Sequence, residues 1–256
     1  SWIVHKFGGS SLSDAAAFEH VGSLLERQGD ARQCVVVSAM SGTTDALVES
    51  ARNASAGHAG AGPEWAGTVE ALKQRHLDCA ARLGVDETTV SALNRSFSEL
   101  EHLLEGLELL GSLPDEVLDL VSALGEQWSA RLLCGWFRAH GHAGEFVDAR
   151  EVIRVRRGEL GPVLMRAESA AALCGHARAI ESQRMVVTGF CCRDDRGRIS
   201  TLGRNGSDFS ATIMAALLDA EAVHIWTDVE GVLSADPNRV PQAEVVERLS
   251  YAEAFE

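Results

Sequence analysis

The sequence predicts an α/β protein: an open, mostly parallel sheet sandwiched between helices, with a helical insertion in the middle. Three observations predict it. Short apolar runs recur along the chain, and each ends in a glycine or hydroxyl turn that opens into a helical pattern. One of these runs, Cys34-Val-Val-Val-Ser-Ala-Met40, is apolar nearly throughout, as strands covered on both faces are. Residues 63–140, by contrast, carry helical periodicity without a convincing strand.

The first run, Trp2-Ile-Val-His-Lys-Phe7, ends in Gly8-Gly9-Ser10-Ser11, and a helix is expected over 13–27. Gly8 and Gly9 would let the backbone approach a ligand closely, and their N–H groups could form an anion nest. Lys6 stands at the strand's end, where open α/β sheets bind ligands. It reads either as a solvated edge lysine or, beside the glycine pair, as a functional cation. The second run turns through Ser41-Gly42-Thr43-Thr44-Asp45 into a helix over 46–54, where Thr43 and Thr44 are hydroxyl donors or simple caps.

Helices are expected over 64–83, 87–110 and 114–139. Glu126 lies in an apolar part of the last: either a solvated helix glutamate or a buried carboxylate that needs a partner. A brief strand follows at 145–148, then Arg154, Arg156 and Arg157 on a surface ribbon, a helix near 165–181 and a strand over 185–191. The turn Asp194-Asp-Arg-Gly197 forms a hairpin that delivers Thr201-Leu-Gly-Arg-Asn-Gly-Ser-Asp208.

That stretch reads as a glycine turn opening into a helix over 209–220, capped by Ser207 or Asp208. A helix start favours an anion, and Arg204 adds a forked cation suited to a carboxylate or phosphate. Asp208 is a carboxylate in the same place, so the set suggests a ligand carrying both signs, such as an amino acid. The plain alternative is a capped strand-to-helix turn. A last strand over 222–227 ends at Asp228, and the loop after it could hold the base and ribose of a nucleotide.

Composition sets limits. With 256 residues and 46% hydrophobic content, the chain can form one large α/β domain or two small ones. No run approaches the apolar length of a membrane span, and no signal-peptide pattern opens the sequence. A net charge of −14 argues against nucleic acid or an anionic lipid surface as partner. It does not exclude small anions, because salt screens surface charge within about 8 Å and a few local cations can dominate a cleft. Six cysteines form no Cys-x-x-Cys pair and read as reduced thiols of a cytoplasmic protein. No protein metal site is predicted.

Four motifs, in order along essentially the whole chain, resemble those of aspartate kinases, members of the amino-acid-kinase family. They are Lys6-Phe-Gly-Gly-Ser-Ser11, Val36-Val-Ser-Ala-Met-Ser-Gly42, Thr201-Leu-Gly-Arg-Asn-Gly-Ser-Asp208 and Ile225-Trp-Thr-Asp-Val-Glu-Gly-Val232 with Asp236-Pro237. The likeness is greatest to the kinase portions of bifunctional fusion enzymes. It implies a three-layer αβα fold and ATP-dependent phosphorylation of the side-chain carboxylate of L-aspartate, the first step of lysine, threonine and methionine biosynthesis. It implies Mg²⁺ carried mainly by the phosphates and a homo-oligomer in the full-length protein.

Carried over by motif, Lys6 would contact the transferring phosphoryl group, with Gly8, Gly9 and Ser10 cradling phosphates. Thr44, Glu126, Arg204 and Ser207 would hold aspartate. Asp208 would orient Lys6 or the substrate ammonium, and Thr227, Asp228 and Arg239 would face the nucleotide. The sequence departs from the pattern at Ser10, usually threonine, at Leu233, a tyrosine in some relatives, and at Asn238, which separates Pro237 from Arg239. The closing Ser250-Tyr-Ala-Glu-Ala-Phe-Glu256 reads as the start of a helix with a Ser250–Glu253 capping box. Related kinases continue through this helix to a nucleotide-contacting lysine, so the resemblance implies one catalytic domain over 1–256, truncated at its C-terminal end.

The alternative enzyme is another amino-acid kinase, acting on glutamate, acetylglutamate or a carbamate-like acid; Glu126 with Arg204 and Asp208 favours a free amino acid over an N-acylated one. A silent amino-acid or nucleotide sensor would not need Lys6 and Asp208. A dinucleotide-binding dehydrogenase would need a Gly-x-Gly-x-x-Gly after the first strand, and none is there.

Overall fold

The computed structural model describes residues 1–29, 31–57, 63–159, 161–227, 231–236 and 239–254. They divide into two compact units, Ser1–Trp226 and Thr227–Glu256.

The first unit begins with β1 (Trp2–Phe7), a 3₁₀ turn (Ser10–Leu12), α1 (Ala15–Glu26) and β2 (Arg32–Val37). Five helices follow: α2 (Thr43–Ala56), α3 (Glu64–Leu83), α4 (Glu87–Leu110), α5 (Asp115–Ser122) and α6 (Leu124–Ala139). Next come β3 (Glu145–Val147), α7 (Ala149–Val152), β4 (Val155–Gly158), β5 (Gly161–Leu164), α8 (Arg166–Cys174) and α9 (Ala177–Glu181). The unit closes with β6 (Arg184–Thr188), β7 (Cys191–Arg193), β8 (Ile199–Thr201), α10 (Gly206–Leu218) and β9 (Ala222–Trp226).

Among the described residues five strands form one sheet in the order β3-β6-β2-β1-β9, and every neighbouring pair is parallel. Side chains alternate across it. Val35 and Val37 join a core with Phe18, Leu25, Phe97 and Trp128, while Cys34 and Val36 join one with Val147, Met185, Ile213 and Met214. Both faces of β2 are therefore covered, which is why its sequence is apolar without alternation. Helices α1 to α6 share the first core, so the helices of 63–140 pack in one layer with α1 on a face of the sheet.

Helix ends follow their local chemistry. Asp14 and Asp86 accept the N–H groups of Ala17 (3.0 Å) and Thr89 (2.7 Å) at the starts of α1 and α4. Gly84 and Gly111 close α3 and α4 in the left-handed conformation. The expected single helix over 114–139 is instead two, broken at Ala123. Ser122 Oγ donates back to Leu118 O (2.6 Å), and the bend brings Gly125 so close that a Cβ there would lie 2.6 Å from Ala39 Cβ. The helix near 165–181 also divides, at Gly175 and His176. The strand expected over 185–191 leaves the sheet after Thr188, because Phe190 takes a positive φ of 67° and turns the chain into the β7–β8 hairpin.

In the second unit, Leu233 and Val245 form an antiparallel bridge, with Ser234 N–H donating to Glu244 O and Val246 N–H to Val232 O, both at 2.8 Å. Helix α11 (Tyr251–Ala254) carries the expected capping box: Glu253 N–H donates to Ser250 Oγ (3.3 Å) and Ser250 N–H to Glu253 Oε2 (2.7 Å).

Candidate active site

Parallel pairing puts the carboxyl ends of β1, β2, β3 and β6 on one rim. A cleft of about 470 Å³ lies there, lined by Lys6 of β1 and Gly9 after it, 38–42 after β2, Thr44 and Asp45 of α2, Glu126 of α6, Phe190, and 203–208 leading into α10.

Lys6 projects from the last turn-ward residues of β1, and its Nζ lies 2.8 Å from Asp208 Oδ1 in the first turn of α10. The contact is a charge pair without the alignment of a hydrogen bond. The lysine side chain is 14% exposed and the aspartate 37%, so the pair sits at the mouth of the cleft. Gly8 and Gly9 do not form the expected nest: neither has positive φ, and Gly9 is right-handed (φ −63°, ψ −32°) at the head of the 3₁₀ turn 10–12. What Gly9 supplies is closeness, since a Cβ there would meet Ala39 O at 2.9 Å. Ser10 is exposed at the start of that turn.

Helix α2 begins three residues earlier than expected, after Gly42 at φ 77°. Half-buried Thr44 faces the cleft, while buried Thr43 leaves its Oγ1 without a hydrogen bond among the described residues. Ser207 and Asp208 are not caps. The cap position of α10 is Asn205, left-handed at φ 57° with no side-chain cap bond, which frees both residues for the cleft. Ser38 Oγ lies 3.0 Å from Ser207 Oγ, and Gly189 makes room for them, since a Cβ there would fall 2.6 Å from Ser207 Oγ. The glycine turn 203–207 follows β8 of the hairpin rather than a strand of the main sheet.

Arg204 is exposed between Gly203 at φ 76° and Asn205, and makes no ion pair or hydrogen bond among the described residues. Glu126, in the first turn of α6, is only 4% exposed, and its Oε2 accepts no hydrogen bond among them. Burial pushes its carboxyl up from the ordinary 4.5 to about 7, partly offset by its own N–H and that of Ala39. The cleft thus holds a paired lysine, a free guanidinium and a buried, unsatisfied carboxyl.

Lys6, Gly9, Thr44, Glu126, Arg204, Ser207 and Asp208 come together around this one cleft, and Gly8 lies against it with Lys6 Nζ 3.6 Å from where its Cβ would be. Thr227 and Arg239 belong to the second unit, where Arg239 N–H donates to Asp236 O (3.0 Å), and Asp228 lies outside the described residues. Sequence reasoning gave no role to Ser38 or Phe190. The hydroxyl that interrupts the apolar run of β2 just as it leaves the sheet was the available signal for Ser38.

This sheet, with its cleft at the carboxyl rim, defines a class. A family model described as the amino acid kinase family matches residues 1–256, and the chain belongs to that family. Within it, the chain is similar to aspartokinases. It is 34% identical over 261 residues to the chloroplastic bifunctional aspartokinase/homoserine dehydrogenase 2 of Arabidopsis thaliana, covering 100% of this chain and 28% of that protein. It is 34% identical over 253 residues to bifunctional aspartokinase/homoserine dehydrogenase 2 of Escherichia coli K12, covering 99% and 30%. The chain therefore spans under a third of these relatives' length. Escherichia coli aspartokinase III, solved in complex with aspartate and ADP, superposes with a TM-score of 0.83 at 28% identity, over 96% of this chain and 53% of that one. No helix among the described residues is long and apolar enough to cross a membrane.

Proposed function

We propose that this chain is an aspartate kinase catalytic domain, which transfers the terminal phosphoryl group of ATP to the side-chain carboxylate of L-aspartate to give 4-phospho-L-aspartate and ADP. The observation that carries this reading is Glu126: a buried carboxyl with an unsatisfied oxygen, in the same cleft as the unengaged Arg204. A buried polar atom without a partner is costly, and the ammonium of a free amino acid would satisfy it while Arg204 takes a carboxylate. The relatives named aspartokinase, and the aspartate and ADP held by the structural neighbour, support the same substrates.

The acceptor carboxylate is ionised near neutral pH, with an ordinary pKa of about 3.9, so no general base has to act on it. One of its oxygens forms the new P–O bond as the bond from the γ-phosphorus to the bridging oxygen breaks, and the electron pair leaves with ADP. What remains for the protein is alignment and neutralisation of phosphoryl charge. Lys6, steadied by Asp208, meets the charge developing on the phosphoryl oxygens. Gly8, Gly9 and Ser10 approach the phosphates through the backbone, and Thr44, Glu126, Arg204 and Ser207 hold the amino acid. On the resemblance, Thr227, Asp228 and Arg239 serve the nucleotide.

Among the described residues no three His, Cys, Asp or Glu side chains converge as a metal cage. Asp208 is engaged by Lys6; a Mg²⁺ would be carried mainly by the phosphates and would supply neutralisation of their charge. We place the enzyme in a reducing, cytoplasmic setting, which suits its free cysteines, and the helices 63–140 as an insertion in its catalytic domain. Phosphorus NMR of protein, ATP, Mg²⁺ and aspartate tests the reading. An acyl-phosphate resonance growing as ADP forms is expected; ADP and inorganic phosphate appearing at the same rate without aspartate would refute it.

A further inference from the structure

We propose that Arg75 is a positioning residue for phosphoryl transfer: from helix α3, outside the cleft, its guanidinium holds the turn after β1 and the turn after β2 in register. This deepens the aspartate-kinase reading and rests on it.

Arg75 Nη2 donates to Ser13 O (2.7 Å) and Nη1 to Ser41 O (2.8 Å). Ser13 closes the 3₁₀ turn that follows Gly8 and Gly9. Ser41 lines the cleft and precedes left-handed Gly42, from which α2 and Thr44 start. The two carbonyls belong to segments whose proposed partners differ, phosphate for the first and amino acid for the second. The turns also touch at Gly9, where a Cβ would lie 2.9 Å from Ala39 O, so small displacements have nowhere to go.

Local electrostatics do not demand this arrangement. Asp14 and Asp78 line the same hollow as Arg75, yet Asp14 accepts from Ala17 N–H (3.0 Å) and Asp78 from Gln74 Nε2 (2.7 Å). The guanidinium spends its two terminal nitrogens on main-chain carbonyls instead. A planar fork fixes the separation of two acceptors, whereas an ammonium on a flexible stem does not. Each turn would keep its own ligand contacts without Arg75. What would be lost is their mutual alignment, on which transfer between two bound substrates depends.

The test compares wild type, Arg75→Met, Arg75→Lys and, as a control on the same helix, Lys73→Ala. Readouts are kcat, both KM values, melting temperature, and the separate affinities for ATP and for aspartate by calorimetry. Arg75→Met is expected to lower kcat about 10- to 100-fold, the scale of a misplacement near 1 Å, with each separate affinity within about threefold of wild type. Arg75→Lys keeps charge and stem and should recover only part of kcat; it decides the matter if the methionine variant fails to fold. Lys73→Ala should match wild type. An active wild type with kcat within twofold in both Arg75 variants, or falling only with the folded fraction, overturns the inference alone. A wild type that makes no acyl phosphate overturns the functional reading and this inference with it.

Discussion

Replacing Glu126 with glutamine should stabilise the protein and weaken its substrate binding at once. The carboxyl is buried, with an oxygen that accepts no hydrogen bond among the described residues, and burial raises it from 4.5 to about 7. Between those values the folded state binds a proton that the unfolded state releases, so this group's contribution to stability is fully present below about pH 4.5 and is lost as pH rises through 7. The loss is on the order of 3 kcal/mol by pH 8, taking 1.36 kcal/mol per tenfold change in proton affinity. Glutamine keeps the shape and never ionises. Urea unfolding of both proteins from pH 5 to pH 8 should show the variant's relative stability climbing by roughly that amount. Aspartate affinity should fall at least about tenfold, since an ion pair with the ammonium is gone. In wild type at pH 7, aspartate binding should release protons, because the ammonium favours the ionised carboxyl. A stability difference that stays flat with pH would refute the burial argument, and proton-neutral aspartate binding would refute the assignment of its partner.

Lys6→Met should lower kcat about 10²- to 10³-fold, the cost of removing one electrostatic donor, while circular dichroism stays native; near-normal turnover would remove Lys6 from the chemistry. Arg204→Ala should raise the KM for aspartate about 10- to 100-fold, the worth of one charge-assisted hydrogen bond, and leave that for ATP unchanged. The opposite pattern would reverse the two subsites. Gly22→Ala, where a Cβ would overlap the Trp136 ring, should cost about 1–3 kcal/mol in urea melts with kcat of the folded protein intact.

Much of the scaffold was legible because its signals are local. A strand covered on both faces must be apolar at consecutive positions, and Cys34 to Val37 are. Asp14, Asp86, Gly84 and Gly111 mark helix ends by backbone chemistry that needs no tertiary partner. The break at Ala123 was hidden because nothing there forbids a helix; the bend comes from Ser122 bonding backward and from α6 packing on the Ala39 turn. The cap of α10 was misplaced because Asn205 acts through a left-handed backbone, while Ser207 and Asp208, good caps by type, are drawn to Ser38 and Lys6. Ser38 and Arg75 were silent for a related reason. Their partners lie 169 and up to 62 residues away, and no local pattern carries such a pairing. Glu126 was recognisable as unusual from its apolar surroundings, but only the folded cleft shows that it is buried with an unsatisfied oxygen.

The most direct measurement of the central claim is acceptor choice. Protein, ATP and Mg²⁺ are incubated with hydroxylamine and, in turn, aspartate, glutamate and N-acetylglutamate, and the acyl hydroxamate is quantified. Hydroxamate from aspartate alone, lost in Lys6→Met and reduced in Arg204→Ala and Glu126→Gln, is the result expected of a cleft that reads a free amino acid through Glu126 and Arg204. Hydroxamate from N-acetylglutamate but not aspartate would contradict it, because that acid has no ammonium group for Glu126 to hold.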